Sequence, residues 1–321
     1  MDDPLIWSRA IHFAATVSVA GVVFFHVFIA APVFGKSGDR ESALVALCAR
    51  FAWIAGSGLI IAVLSGTAWL VLQAQQMSDS PLQTVFSDGI VWMVLSGTDF
   101  GRDWVVRFVL AVLLASILPS FLSSKRPKPP QLPIVAALLA ASLVGTLAWA
   151  GHGAAGEGVE GTIRLTADIL HLMAAATWLG ALIPLAMLLA ATDRNELSLA
   201  VARQAVLRFS TLGIVAVGML LVTGLVNAWS LVGTVTALFR TTYGQLLLLK
   251  LALFLLMVSI AAINRFLLTP RLLRWQETAA RHPLRQLRNN AFLEAAIGAA
   301  IITAVAVLGT LEPAAQELAT G

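Results

Sequence analysis

Apolar residues fill eight long runs of this chain, at roughly 5–33, 51–73, 105–122, 132–150, 164–191, 209–233, 244–268 and 290–311, and charges gather in the short stretches between them. A bilayer crossing takes about 20 predominantly apolar residues, so each run predicts a transmembrane helix. No stretch between them is long enough for a soluble domain. The fold class that follows is an all-α integral membrane protein. Lys125-Arg126-Pro127-Lys128-Pro129-Pro130 cannot be helical throughout, because proline lacks the donor and clashes with the preceding turn. It reads as a stiff turn between the third and fourth spans.

The pattern also repeats. His12 is followed nine residues later by Gly21, and His171 nine residues later by Gly180. Arg50-Phe51 leads to Ser65-Gly66 and Arg208-Phe209 to Thr223-Gly224, each glycine sixteen residues after its arginine. Arg107 lies six residues after Gly101, and Lys250 six after Gly244. Gly145-Thr146-Leu147 returns as Gly309-Thr310-Leu311. Matches in the same order predict two tandem halves of four helices each, 1–150 and 151–321, forming one membrane domain. Because each half has an even number of spans, the halves enter the bilayer in the same sense. A pseudo-twofold axis along the membrane normal relates such parallel repeats. The junction is the glycine-rich stretch that includes His152.

Composition agrees, with 59% hydrophobic and only 12% charged residues. The formal charge of +4 points to one basic membrane face, not to nucleic acid. Segments 34–50, 123–131, 192–208 and 269–290 carry 3, 3, 3 and 5 Lys/Arg, whereas the alternate segments carry only Arg102 and Arg240. The positive-inside rule makes the first group cytoplasmic and both termini external. The outer face is acidic, with Asp2, Asp3, Asp79, Asp88, Glu157 and Glu317. The N-terminus lacks the basic start of a cleavable signal peptide, so the first helix is expected to be retained. A single cysteine, Cys48, rules out an intramolecular disulfide and a CxxC metal motif.

Candidate chemistry rests on the histidines. His12 and His171 each lie about seven residues, roughly 10 Å, into their helices from the outer face, and His152 lies at the outer end of the fourth span. An ionisable residue inside a membrane is costly and marks either a packing hydrogen bond or a functional site. Imidazole suits copper, zinc and iron. The expectation is therefore a metal site with His12 and His171 as facing ligands and His152 as entrance or third ligand. The alternative is a b-type haem protein of membrane electron transfer or haem-dependent oxidation, with His12 and His171 as axial ligands. His26 lies fourteen residues after His12 on nearly the same face, as a second haem would require, but the fifth helix is apolar around Leu185 where its partner would be. Asp168, three residues before His171, either holds the imidazole N–H as groups behind metal ligands do or pairs with Arg164. Arg107 and Lys250 attract the acidic loops, hold a haem propionate or snorkel. Asn227, Trp229 and Asn264 are candidates for interhelical hydrogen bonds or a polar path. Glu294 is expected to pair with Arg208 or Arg265, and His282 to be solvated. Met77 and Met93 are weaker candidates for soft outer ligands. No Walker A sequence, nucleophile elbow or HExxH occurs, so neither an ATP-driven pump nor an enzyme is expected.

The run Asp168-Ile169-Leu170-His171-Leu172-Met173-Ala174-Ala175-Ala176-Thr177-Trp178-Leu179-Gly180 resembles the fifth-helix signature of the copper resistance protein D (CopD/PcoD) family. The likeness continues through Arg208-Phe209-Ser210, Thr223 to Trp229, Thr242 to Lys250, Asn264-Arg265 and Gly309-Thr310-Leu311. The resemblance implies a bacterial inner-membrane protein of copper uptake or homeostasis, with a copper ion bound and a separate periplasmic protein of CopC type as donor. A non-transporting assembly partner for copper enzymes is a further reading. Membrane lipid is the other expected partner, no nucleic acid is, and a homo-oligomer stays open.

Overall fold

The computed structural model describes residues 3–35, 41–123, 129–150, 158–274 and 277–314. Among them the chain is helical and holds no strand. Eight helices are long and apolar enough to cross a membrane: α1 (Pro4–Phe34), α2 (Glu41–Ser78), α3 (Asp99–Leu122), α4 (Leu132–Ala150), α5 (Gly158–Asp193), α6 (Leu199–Trp229), α7 (Thr242–Arg274) and α8 (Ala279–Leu308). They correspond to the eight apolar runs. Several extend past them, α2 most of all, because its amphipathic ends continue the helix beyond the apolar stretch.

Helix α1 is the post of the bundle. It packs against α2, α4, α5 and α8, and 67% of its apolar window is buried, against 17% in α6 and 11% in α7. A helix apolar on all sides is stable either inside a core or against lipid; α1 takes the first environment, α6 and α7 the second. Asp3 starts α1 by accepting the Leu5 N–H at 2.9 Å, which satisfies one of the orphan donors of the first turn.

At Gly21 and Gly180 the main chains of α1 and α5 touch. A Cβ on Gly21 would fall on the backbone of Gly180, and a Cβ on Gly180 would fall on Val17 O and the Gly21 Cα. Helix α5 breaks here into Gly158–Trp178 and Leu182–Asp193. Pro184 supplies the cause, since it has no N–H to offer the Gly180 carbonyl four residues back.

Two further irregularities also precede prolines. In α1 a π-turn covers His26–Ala30 and Pro32 follows; in α7 a π-turn covers Asn264–Leu268 and Pro270 follows. Each proline deletes an i→i−4 bond, and the wider turn reroutes the neighbouring ones. The Phe28 carbonyl left by Pro32 accepts from Arg208 Nη1 at 3.3 Å.

The stretch between α2 and α3 contains two short helices, Leu82–Ser87 and Ile90–Gly97. Val85 and Val94 bury themselves against Leu70 and Ala74 of α2, which is enough apolar contact to order it. Thr98 then caps α3 by accepting the Gly101 N–H at 3.0 Å. In the second half a short helix, Val235–Arg240, precedes α7, and Thr241 accepts the Gly244 N–H at 2.9 Å. At both places a Cβ on the glycine would strike carbonyls of the preceding short helix.

At the basic end, Asp193 gathers Arg285 at 2.9 Å and Arg288 at 3.1 Å, tying the end of α5 to α8. Outside the spans, the hydrogen bond from Arg194 holds the Glu196 carboxyl below its ordinary range.

Gly21→Leu and Gly180→Leu should separate α1 from α5 and lower the apparent melting temperature of the detergent-solubilised protein, with overpacking costing about 1–3 kcal/mol or more. Gly56→Leu, where a Cβ meets nothing within 4 Å, should melt as the parent does. Equal melting of all three would refute the crossing.

Candidate metal site

Each intramembrane histidine sits on a partner helix of its own half. His12, 4% exposed, places Nδ1 2.8 Å from the Ala62 carbonyl of α2. A carbonyl only accepts, so in the neutral ring Nδ1 carries the proton and Nε2 keeps a free lone pair. Among the described residues that buried Nε2 has no hydrogen-bond partner. Gly66 makes room for the ring: a Cβ there would lie 3.1 Å from the imidazole.

His171, half-buried, places Nδ1 2.9 Å from Thr223 Oγ1 of α6. Thr223 spends its own proton on the Met219 carbonyl at 2.6 Å, so toward the ring it can only accept. His171 therefore has the same tautomer as His12, with the Nε2 lone pair unprotonated. Gly224 stands where Gly66 stands, with a Cβ there 3.6 Å from the ring. Ser65, the residue before Gly66, bonds back to Ile61 at 2.6 Å just as Thr223 does to Met219. Second partners of this kind orient an imidazole and raise its basicity as a ligand.

The surroundings of His12 are polar and closed. Trp69, 1% exposed, meets the imidazole edge-on at 5.7 Å between ring centroids. Two guanidiniums lie over the indole, Arg9 at 5.1 Å and Arg107 at 5.4 Å from its centre, an arrangement favoured by the ring quadrupole. Arg9 donates from α1 to the Gly309 carbonyl at the end of α8, at 3.0 Å. Arg107 pairs with Asp103 one turn earlier and donates to the Thr146 carbonyl of α4 at 2.8 Å. It does not snorkel, because partners for its head lie within the bundle. A small cavity of about 20 Å³ lies between His12, Ala62, Trp104, Arg107 and Leu143. That is room for one water or ion and far too little for a porphyrin.

Around His171 the partners are rearranged. Asp168 accepts from Asn227 at 2.6 Å and lies in the field of Lys250. It does not hold the His171 N–H, which Thr223 has taken, and it does not pair with Arg164, which binds Glu160 at 2.6 Å. Both halves thus set a carboxylate and a cation beside the histidine: Asp103 and Arg107 within α3, Asp168 and Lys250 across two helices.

The contacts of His12 belong to the first half and those of His171 to the second. His152 lies outside the described residues. Trp229, expected on a polar path, is 82% exposed and joins neither cluster. His26 is buried in the α1 π-turn with its ring 4.9 Å from Phe121, and His282 is exposed. Met77 and Met93 are exposed, at 55% and 58%. Glu294 pairs with neither expected arginine: Asn264 donates to it at 2.7 Å, while Arg208 and Arg265 donate to Phe28 and Ser210. Among the described residues no three His, Cys, Asp or Glu side chains converge as a metal cluster. Sequence reasoning missed Arg9, Trp69, Asp103 and Thr223. Spacing held the signal for two of them, since Arg9 precedes His12 by three residues and Asp103 precedes Arg107 by four, which puts each pair on one helix face.

Comparison with known proteins places the chain among relatives. Residues 1–162 match the family model described as copper resistance protein D-like, N-terminal domain, and residues 203–308 the model described as copper resistance protein D. The chain is 32% identical to copper resistance protein D of Pseudomonas syringae pv. tomato, across 98% of both chains. It is 32% identical to the inner membrane protein YebZ of Escherichia coli K12, across 95% of this chain and 97% of that one. Against the copper transport protein CutJ of Bacillus subtilis 168 it is 31% identical across 96% of this chain, which spans 53% of that longer protein. No solved structure matches.

The Asp103–Arg107 pair is buried, and removing one member strands the other. Asp103→Ala should destabilise the solubilised protein by about 3–5 kcal/mol. Asp99→Ala breaks only the exposed pair with Arg102 and should change stability by less than about 1 kcal/mol. Thermal unfolding in detergent compares them; equal losses would contradict the buried pairing.

Proposed function

Because the chain belongs to the copper resistance protein D family, we propose that it carries copper across a bacterial inner membrane, with His12 and His171 as ligands for the passing ion. The observation that carries this reading is the His12 ring: buried, fixed by Ala62 so that Nε2 is a lone pair, and without a partner for that nitrogen among the described residues. An unprotonated imidazole nitrogen beside an ion-sized space is a transition-metal ligand in waiting. His171 shares the tautomer through Thr223. The contacts of the two rings lie in different halves, which favours two separate copper stations over a single bridged ion. The narrow space beside His12 favours copper over the haem alternative.

In this reading the halves 1–150 and 151–321 are tandem repeats related by about 180° around the membrane normal, with both termini on the periplasmic side. The paired threonine caps at Thr98 and Thr241 and the paired histidine–glycine contacts support it. Copper enters from the acidic end, where His152 is a further ligand, delivered by a separate periplasmic copper protein of CopC type. The chain moves its cargo without converting it chemically.

His12→Ala and His171→Ala should each lower copper accumulation by cells at limiting external copper while membrane levels of the protein stay normal. Normal accumulation by both variants would overturn the reading; loss of the protein from the membrane would assign the histidines to packing instead. Thr223→Val removes the group that orients His171, and should weaken copper binding by the purified protein about 10–100-fold, whereas Trp229→Ala should leave it unchanged. Metal analysis after equilibrium dialysis measures both.

A further inference from the structure

The two halves differ most where α6 faces α7. In the first half α2 packs directly on α3; in the second, α6 and α7 lean on α5 and α8 and have little direct packing between their spans. A cavity of about 490 Å³ fills the gap, within the size range of a ligand site. Its floor is apolar, formed by residues such as Leu185 and Leu189 of α5. Its mouth lies between α6 and α7, where Ile214 and Phe266 are exposed at 51% and 70%.

One carboxyl group lines this apolar space. Glu294 of α8 is 1% exposed. Asn264 Nδ2 donates to its Oε1 at 2.7 Å, and Asn290 Nδ2 fixes Asn264 by donating to its Oδ1 at 2.6 Å. The π-turn that begins at Asn264 is the local distortion from which Asn264 reaches α8, and π-turns recur at functional positions. Oε2 is buried and has no hydrogen-bond partner among the described residues. The charged groups nearby are engaged elsewhere. From α6, Arg208 donates to the Phe28 carbonyl; from α7, Arg265 donates to Ser210 at 2.6 Å. On α8 itself Arg288 pairs with Asp193 at 3.1 Å, and on α1 His26 meets Phe121 edge to face. Helix α5 offers the cavity only apolar side chains. Among the described residues no cation lies within ion-pair distance of Glu294. A carboxylate buried in a membrane without a cation is costly; a carboxyl that can take a proton is not.

We propose that Glu294 is a proton-binding site, held by Asn264 and Asn290 and served by the cavity between α6 and α7, which takes up and releases a proton as copper moves. The proton adds to Oε2, the oxygen left without a partner, and is released from the same oxygen to the solvent outside the bundle. The coupling rests on the transport reading; the site itself rests only on the geometry of Glu294.

The test uses dicyclohexylcarbodiimide, an apolar reagent that adds a protonated carboxylic acid across its C=N bond and, in a dry site, remains attached as an N-acylurea. Peptide mass spectrometry of the full chain in native membranes should find the adduct on Glu294. It should disappear in Glu294→Gln. It should also fall strongly in Gly213→Leu, which fills the cavity at a position where a Cβ meets nothing within 4 Å. A normal size-exclusion profile checks that each variant is folded. Labelling should decline as pH rises, because only the protonated acid reacts. Absence of the adduct at low pH, or equal labelling in Gly213→Leu, would overturn the site. These readouts need no copper, so they fail separately from the transport reading. In proteoliposomes, an imposed pH gradient should change copper uptake by the parent and not by Glu294→Gln; equal sensitivity of the two would overturn the coupling.

Discussion

The bundle depends on the contact between two glycines. Where Gly21 meets Gly180, the backbones of α1 and α5 approach as closely as atoms allow. In lipid there is no hydrophobic drive to bring helices together, so close backbone approach supplies the attraction, and only residues without a side chain permit it. The crossing joins the first half of the chain to the second and leaves α1 as the buried post on which α2, α4, α5 and α8 all lean. The break in α5 follows from the same place. Pro184 leaves the Gly180 carbonyl without its helical donor, and the turn at Gly180 lets the two segments of α5 take separate directions, the first toward α6 and the second toward α8.

With the helices set by that crossing, the polar residues have few choices. Each buried polar group must find a partner within the bundle or bear a large cost. His12 finds Ala62, Arg107 finds Asp103 and Thr146, Asp168 finds Asn227. These bonds fix side-chain directions more firmly than packing alone would. Several buried atoms have no partner among the described residues, the Nε2 of His12 and the Oε2 of Glu294 among them. The two lie on different elements and have different chemistry: an imidazole nitrogen lone pair, of the kind transition metals accept, and a carboxyl oxygen, of the kind a proton adds to.

The halves share local devices and differ in packing. Ser65 and Thr223 bond back along their helices in the same way, and Thr98 and Thr241 cap theirs in the same way. Yet the first half closes around His12 with two arginines and a tryptophan, while the second opens a large cavity between α6 and α7.

The sequence by itself determined the eight spans and the histidine–glycine spacing, because bilayer thickness sets helix length and because glycine and buried imidazole are costly unless used. It also marked Asn227 and Asn264 as interhelical groups. It did not determine the partners. Asp168 lies on the His171 face of its own helix, but Thr223 reaches the ring first and Asn227 takes the carboxylate. Glu294 follows Arg281, Arg285 and Arg288 in the sequence, yet its hydrogen bond comes from Asn264. Arg107, by composition a snorkelling cation, stays inside because Asp103 and Thr146 meet it there. Such pairings depend on the rotation of each helix about its own axis and on which helix stands opposite. A run apolar on every side carries no record of either, so only the tertiary structure could decide them.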